Sequence, residues 1–414
     1  MSQPLGVLAR NRDFRRLFAA ELVMFGGDWF VMIPLLTLLL KLTGSGLWGG
    51  LVLAADTGIM ALLLPFTGTV ADRVDRRRIM LTANLCGLVA VLALFAVRTP
   101  QTVWLAPVAV AAFAVAKAFY LPAASAALPN LVDAADLSAA NAIAGSAWGT
   151  MVVVGASLGG VLAAIAGPQA CFLVTGVCLL AAAALVWPIR RPMQAARNGA
   201  AQGTWRAIGE ALRYVAHRPR VSALVTVKSA VGLGNGVLTA FPLLASVVFG
   251  IGPAGTGLLF AARGAGALIG PLLLRRVLFH RSWLLPGLAV SMGTYGLAYL
   301  GVSVSPWYGL TLFLVVLAHI AGGGNWAMSS YALQVEVPDE LRGRVFATDV
   351  MIATLAVSIS QLVVGAFIDT VSPRVLVGAC GLTTLGYSIV WRLVTLRVMR
   401  RVPVDQPATE ASSR

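Results

Sequence analysis

Apolar runs divide the sequence into segments of roughly 20 to 30 residues separated by short polar breaks, and each run is long enough to cross a bilayer as a helix. Of the 414 residues, 58% are hydrophobic and only 11% are charged. Such runs predict an all-α membrane protein, because helices satisfy their backbone hydrogen bonds internally. The predicted twelve transmembrane helices cover 17–40, 46–70, 79–97, 103–127, 138–166, 170–188, 220–248, 255–279, 283–302, 307–333, 345–370 and 375–397.

The formal net charge of +15 comes from basic residues that cluster between alternate apolar runs. With the N-terminus in the cytoplasm, nearly all of these clusters fall on the cytoplasmic side, and only Lys41, Arg98 and Arg374 fall on the other. This asymmetry predicts a multi-pass protein of the inner (plasma) membrane with both termini cytoplasmic, surrounded by lipid and not bound to nucleic acid. The first apolar run is expected to be a span and not a cleaved signal peptide.

Short strings recur in the two halves of the chain at nearly the same sequence offset. The segment 50–56 resembles 257–263, and Ile33-Pro34 corresponds to Phe241-Pro242. These repeats predict two pseudo-symmetric six-helix bundles, 1–188 and 220–401, with a site between them near the midplane. A cytoplasmic linker, 189–219, is predicted to contain an amphipathic surface helix, and 402–414 is predicted to be a disordered tail.

The polar segment after the second run reads Gly68-Thr-Val-Ala-Asp72-Arg73-Val-Asp75-Arg76-Arg77-Arg78. It resembles the Gly-x-x-x-Asp-Arg-x-Gly-Arg-Arg signature of the major facilitator superfamily, with Asp75 in place of the second glycine. The resemblance implies a secondary transporter with that fold and a conformational role for this loop. The loop residues that inherit this role are Gly68, Asp72, Arg73, Arg76 and Arg77.

Other strings resemble the efflux branch that includes siderophore (enterobactin-type) and macrolide exporters. They are 11–17, 27–29, 121–123, 140–142 and 342–345. In the fifth run, Gly155, Gly159 and Gly160 have the spacing of close helix packing. They resemble a degenerate antiporter motif with Ala156 where proline is expected. The resemblance implies export of small amphipathic molecules of the drug, antibiotic or siderophore class.

Two short strings resemble motifs of an enzyme active site. Ser157 lies in a Gly-x-Ser-x-Gly string, and His319 lies in a string similar to one of rhomboid-type proteases. They lie in opposite halves, and glycine-mediated packing explains both strings, so we expect no enzyme. The sequence has no phosphate-binding loop and no metal-ligand spacing, so no cofactor or metal is predicted. A non-transporting receptor and an uptake permease are the remaining alternatives.

Ionisable residues within the apolar runs are functional candidates, because an unpaired charge in hydrocarbon costs several kcal/mol. Asp28 and Asp56 are predicted to bind the coupling proton. Lys117 and Arg263 could neutralise an anionic substrate or recharge the carboxylates, whereas Glu21 and Lys228 are expected to be structural. The predicted substrate cavity comprises Trp29, Lys117, Tyr120, Asn235, Arg263, His319, Asn325 and Trp326. The expected activity is proton antiport by alternating access in a monomer.

Overall fold

A computed structural model describes residues 4–133, 136–194, 204–278 and 284–399, and every regular element in these ranges is a helix. The first bundle contains α1 (Pro4–Arg10), α2 (Arg12–Thr43), α3 (Leu47–Arg73), α4 (Arg76–Ala93), α5 (Leu105–Leu131) and α6 (Leu137–Val186). The linker contains α7 (Thr204–His217). The second bundle contains α8 (Pro219–Gly234), α9 (Val237–Leu243), α10 (Pro253–Leu278), α11 (Leu284–Ser303), α12 (Tyr308–Glu336), α13 (Asp339–Phe367) and α14 (Pro373–Met399).

The long helix α6 is two membrane crossings that reverse direction at Gly167. This glycine has φ 80° and ψ 173°, which a residue with a side chain rarely adopts. Cys171 Sγ lies 3.8 Å from the Gly159 carbonyl oxygen, although twelve residues of straight helix would separate them by about 18 Å. In the described part of the chain, eleven helices are long and apolar enough to span a membrane, and the reversal within α6 gives the twelve crossings that the apolar runs predicted.

The predicted seventh span, 220–248, is not one continuous α-helix. It breaks between α8 and α9, and it ends in a π-helical turn, Leu244–Val248. A Cβ at Gly234 would lie 2.4 Å from Thr384 Oγ1, so that position needs a residue without a side chain. The Gly236 amide donates to Ser360 Oγ at 3.0 Å and thereby satisfies a backbone group that the break would leave unpaired.

Glycine contacts hold the two bundles together along α3 with α13 and α6 with α10. A Cβ on Gly50 would lie 2.7 Å from Gly365 Cα, and one on Gly160 would lie 2.9 Å from Gly257 Cα. Backbones this close make van der Waals contacts with each other that larger side chains would prevent. The bundles therefore pack through small residues, in accord with the spacing of the fifth apolar run.

Polar contacts reinforce the α3–α13 interface. The Thr57 hydroxyl donates to Gln361 Oε1 at 2.9 Å, and the Ser358 hydroxyl donates to the Ala54 carbonyl at 2.9 Å. At the loop that joins α2 to α3, the Gly46 amide donates to Asp369 Oδ1 at 2.7 Å. The Ser45 hydroxyl donates to the same carboxylate. These polar contacts of α3 and its preceding loop with the other bundle involve the first half of α3, nearest this loop.

The linker is attached to both bundles. At its start, Arg76 Nη1 and Asn130 Nδ2 both donate to the Met193 carbonyl, at 2.8 and 3.0 Å. Within α7, Glu210 forms a 2.7 Å ion pair with Arg344 of α13. The helix lies where the amphipathic pattern is found, whereas 195–203 and the predicted tail, 402–414, lie outside the described residues.

The contact between Gly160 and Gly257 generates a stability prediction. A Gly160→Leu substitution should force α6 and α10 apart, and overpacking of this kind costs about 1–3 kcal/mol. The apparent melting temperature of the purified protein should therefore fall. Gly386→Leu is the matched control, because a Cβ there would meet no atom within 4 Å. Equal melting temperatures for the two variants would contradict the interface described here.

Candidate functional site

Three charged side chains meet in the first bundle: Asp28 of α2, Asp56 of α3 and Lys117 of α5. Lys117 Nζ donates to both carboxylate oxygens of Asp28, at 2.9 and 3.0 Å, and lies 2.6 Å from Asp56 Oδ1. The side chains are 6% (lysine), 19% and 16% exposed. One ammonium group therefore serves two carboxylates, and the cluster, which we call the N-centre, has one surplus negative charge when all three groups are ionised.

Small residues fix the position of Asp28. A Cβ on the preceding Gly27 would lie 2.9 Å from Cys178 Cβ, so α2 contacts the second half of α6 at this level. Thr175 Oγ1 donates to the Gly27 carbonyl at 2.9 Å. The first half of α6 contacts the same turn of α2, where a Cβ on Gly155 would lie 3.1 Å from the Gly26 carbonyl oxygen. Both halves of the α6 hairpin thus position the carboxylate.

Each carboxylate of the N-centre is next in sequence to a residue that contacts the other bundle. Asp28 precedes Trp29, whose ring centroid lies 5.4 Å from that of Phe260 in α10. Asp56 precedes Thr57, which bonds to Gln361 in α13. The N-centre is therefore one residue away from the bundle interface on two helices.

A second charged cluster lies in the other bundle. Lys228 of α8 forms an ion pair with Asp349 of α13, and both side chains are 0% exposed. Lys228 Nζ also donates to Ser330 Oγ at 3.0 Å and lies 4.7 Å from the Trp326 ring centroid. This C-centre has equal numbers of positive and negative charges. Lys228 is thus structurally paired within its own bundle.

Arg263 of α10 is partly buried, and a third polar cluster in the same bundle comprises Tyr295, Tyr299 and His319, whose rings contact one another. The Tyr299 hydroxyl and His319 Nε2 are 2.8 Å apart. Asp56 and Arg263 occupy related positions in the sequence repeat, yet Asp56 pairs with Lys117 of its own bundle. His319 contacts Tyr299 within the second bundle, whereas Ser157 lies in α6 of the first bundle.

The remaining predicted cavity residues are buried within the bundles. Tyr120 is 1% exposed, and its hydroxyl has no hydrogen-bond partner among the described residues. Asn235 Nδ2 donates to the Val231 carbonyl of its own helix at 2.7 Å. Asn325 Nδ2 donates to Ser291 Oγ at 3.0 Å and so joins α12 to α11. Among the described residues, no hydrogen bond joins these three residues to one another or to the N-centre.

The signature loop makes most of its contacts within the first bundle. Arg76 donates to the Ala126 carbonyl at 2.6 Å as well as to that of Met193, and Arg77 donates to the Trp187 carbonyl. Asp75 accepts the Arg78 amide at 2.8 Å and caps α4, which is a physical reason for a carboxylate where the signature has glycine.

Two other loop residues make no comparable contact within the part of the chain that the structure describes. Arg73 is exposed, and a Cβ on Gly68 would meet no atom within 4 Å. The side chain of Asp72 lies outside the described residues.

Sequence reasoning did not identify several contact residues. Asp369, Gln361 and Ser358 bond across the bundle interface, and Phe260 contacts Trp29. Asp369 is a carboxylate at the end of an apolar run, which only weakly indicates a contact. The other residues are uncharged and lie within spans, so nothing in the sequence distinguishes them from their neighbours. Within the described residues, no group of three metal-ligating side chains is close enough to hold a metal ion.

The Major Facilitator Superfamily model matches residues 17–348, and the chain therefore belongs to this superfamily of multi-pass membrane transporters. It is thus a transporter and not an enzyme. No curated protein is a significant match in sequence.

Solved structures share the fold at low sequence identity. One is a bacterial homolog of the human lysosomal transporter Spinster, inward-facing and unoccupied, with a TM-score of 0.75 and 14% identity over 94% of this chain and 98% of that one. Another is the nucleoside transporter NupG, with a TM-score of 0.70 and 16% identity over 94% and 99%. The human organic anion transporter MFSD10 (TETRAN) has a TM-score of 0.66 and 17% identity over 95% and 100%. At these identities the similarity establishes the fold alone.

The fully buried Lys228–Asp349 pair generates a second prediction. Asp349→Leu leaves a buried ammonium group without its carboxylate, and breaking such a pair costs about 3–5 kcal/mol. The Lys228→Met/Asp349→Leu double variant removes both charges and should recover most of the lost melting temperature. A double variant no more stable than Asp349→Leu would show that the two charges do not depend on each other.

Proposed function

We propose that this protein is a proton-coupled antiporter that exports small amphipathic molecules from the cytoplasm by alternating access. The observation that carries the proposal is the N-centre, in which Lys117 is shared between Asp28 and Asp56. The efflux branch, with its drug, antibiotic and siderophore substrates, is supported by the sequence strings quoted above. The charge asymmetry supports a cytoplasmic position for both termini, and a monomer is proposed because one chain contains both bundles.

The charge of the N-centre supports proton coupling. A buried carboxylate without a counter-charge is costly, and Lys117 neutralises only one of the two. One proton on either carboxylate would leave a neutral cluster. One positive charge on a substrate would do the same, so a proton and a cationic group would compete for the same surplus charge. Competition for one site is the condition for exchange. Because the surplus charge is negative, the N-centre favours amphipathic cations over anions as substrates.

The neighbours of the two carboxylates support coupling between charge and conformation. Protonation at Asp56 weakens its attraction to Lys117 one residue from the Thr57–Gln361 bond. Protonation of Asp28 takes place one residue from the contact between Trp29 and Phe260. Both contacts join the bundles and must be remade when the bundles rock, since packed interfaces switch between discrete arrangements. The state of the N-centre would thus bias which end of the transporter is open.

The location of the glycine contacts supports a cytoplasm-facing conformation. The glycine contacts of α3 with α13 run from Gly50 to Gly58, in the half of α3 nearest the α2–α3 loop. Those of α6 with α10 run from Gly149 to Gly160, the half nearest Gly167. Under the predicted topology, both of these helix halves lie on the side of the membrane away from the cytoplasm. A cavity open to the cytoplasm would then be poised to receive an exported substrate.

Asp28→Asn tests the assignment of the proton. In inside-out vesicles with an acidified lumen, the wild-type protein should take up an amphipathic cation such as ethidium and discharge the pH gradient. Asp28→Asn should abolish the substrate-dependent discharge, because the remaining Asp56 is balanced by Lys117. The Asp56–Lys117 ion pair, which remains in this variant, should keep the protein folded.

Asp28→Glu is the matched control, since it keeps a carboxyl group and should retain coupling. Unchanged proton discharge in Asp28→Asn would contradict the role of this residue. The direction of transport is tested separately by deleting the gene. Increased sensitivity to amphipathic cations would support export, whereas loss of growth on a nutrient would support the alternative, an uptake permease.

A further inference from the structure

A basic pocket lies far from the N-centre, where α1 meets α2 and the ends of α5 and α6 approach them. Its volume is about 560 Å³, within the range of about 300–1,000 Å³ found for small-molecule sites. Arg12 precedes Asp28 by sixteen residues of one helix, a rise of about 24 Å, so this pocket is separate from the N-centre. The lining residues are Arg10, Asn11, Arg12, Asp13, Arg16, Leu131, Asp133, Pro188, Arg190 and Arg191.

Three of the five arginines already have carboxylate partners. Arg10 pairs with Asp136 at 2.8 Å, Arg16 with Asp13 at 3.2 Å, and Arg191 with Asp133 at 3.1 Å. In contrast, Arg12 and Arg190 are exposed and have no ion pair or hydrogen bond among the described residues. The pocket therefore has two guanidinium groups available to a ligand.

The walls of the pocket are held in place by hydrogen bonds to the backbone. Arg16 donates to the Pro188 carbonyl at 3.0 Å, and Arg191 donates to the Leu131 carbonyl at 3.1 Å. These bonds tie the segment after α6 to α2 and to the end of α5. The hydrogen bond from Arg10 to Asp136 raises the pKa of that guanidinium above its ordinary value, so it stays charged. A ligand would find a formed site, which reduces the entropy lost on binding.

We propose that this pocket binds a phosphate group, carried either by the headgroup of an anionic phospholipid or by a soluble phosphate compound. Guanidinium groups present planar pairs of donors that match phosphate oxygens, and arginine is enriched wherever phosphate is recognised. The pocket lies at the ends of membrane-spanning helices, where basic pockets bind lipid headgroups. A bound phosphate would join α1, α2 and the segment after α6.

The experiment measures ligand binding to the purified full-length protein in detergent. The probes are phosphatidylglycerol, detected by native mass spectrometry, and glycerol phosphate, detected by calorimetry. An Arg12→Gln/Arg190→Gln double variant should bind whichever probe the wild-type protein binds at least about tenfold more weakly, a loss of about 1.4 kcal/mol of binding free energy. Because neither arginine has a partner among the residues that the structure describes, the variant should keep the wild-type melting temperature without ligand.

Arg15→Gln is the matched control, since Arg15 lies on the same helix at the same end and does not line the pocket. It should bind as the wild type does. Binding of phosphatidylglycerol alone identifies a lipid site, and binding of glycerol phosphate identifies a site for soluble phosphates. The proposal is overturned if neither probe binds, if the double variant keeps wild-type affinity, or if Arg15→Gln loses as much affinity.

Discussion

The sharing of one lysine between two carboxylates is the interaction on which the proposed activity depends. A charge inside the membrane must be paired, because hydrocarbon cannot solvate it. Lys117 pairs with Asp28 and Asp56 at once and cannot balance both. The C-centre, Lys228 with Asp349, is balanced and fully buried. The two clusters therefore differ: the N-centre has one surplus negative charge when all its groups are ionised, whereas the C-centre is a closed ion pair.

In the proposed mechanism, close packing transmits the protonation state of this cluster to the interface between the bundles. Helices that approach through Gly50–Gly365 and Gly160–Gly257 have no side chains between them to absorb a small displacement. A shift of α2 or α3 at the N-centre must therefore change the contacts with α10 or α13. Trp29 and Thr57, each adjacent to a carboxylate, are the contacts through which such a shift first acts.

The fold was predictable from the sequence because hydrophobic length and charge asymmetry are local properties. The reversal at Gly167 falls in the break between the fifth and sixth runs, and Asp75 at the start of α4 has the position of a helix cap. The cost of burying a charge also marked Asp28, Asp56 and Lys117 individually. Their meeting was not predictable, because it depends on how α2, α3 and α5 are rotated and tilted. The repeat related Asp56 to Arg263, whereas packing placed Asp56 against Lys117.

The surplus charge of the N-centre is tested most directly by counting protons. Calorimetric titration of the purified protein with an amphipathic cation, in two buffers of different ionisation enthalpy, gives the number of protons released per substrate bound. If proton and substrate neutralise the same surplus charge, substrate should displace about one proton at a pH where the cluster is neutral, and Asp28→Asn should abolish the release. Binding of the same affinity with no proton released in the wild-type protein, at any pH between about 5 and 8, would contradict the account.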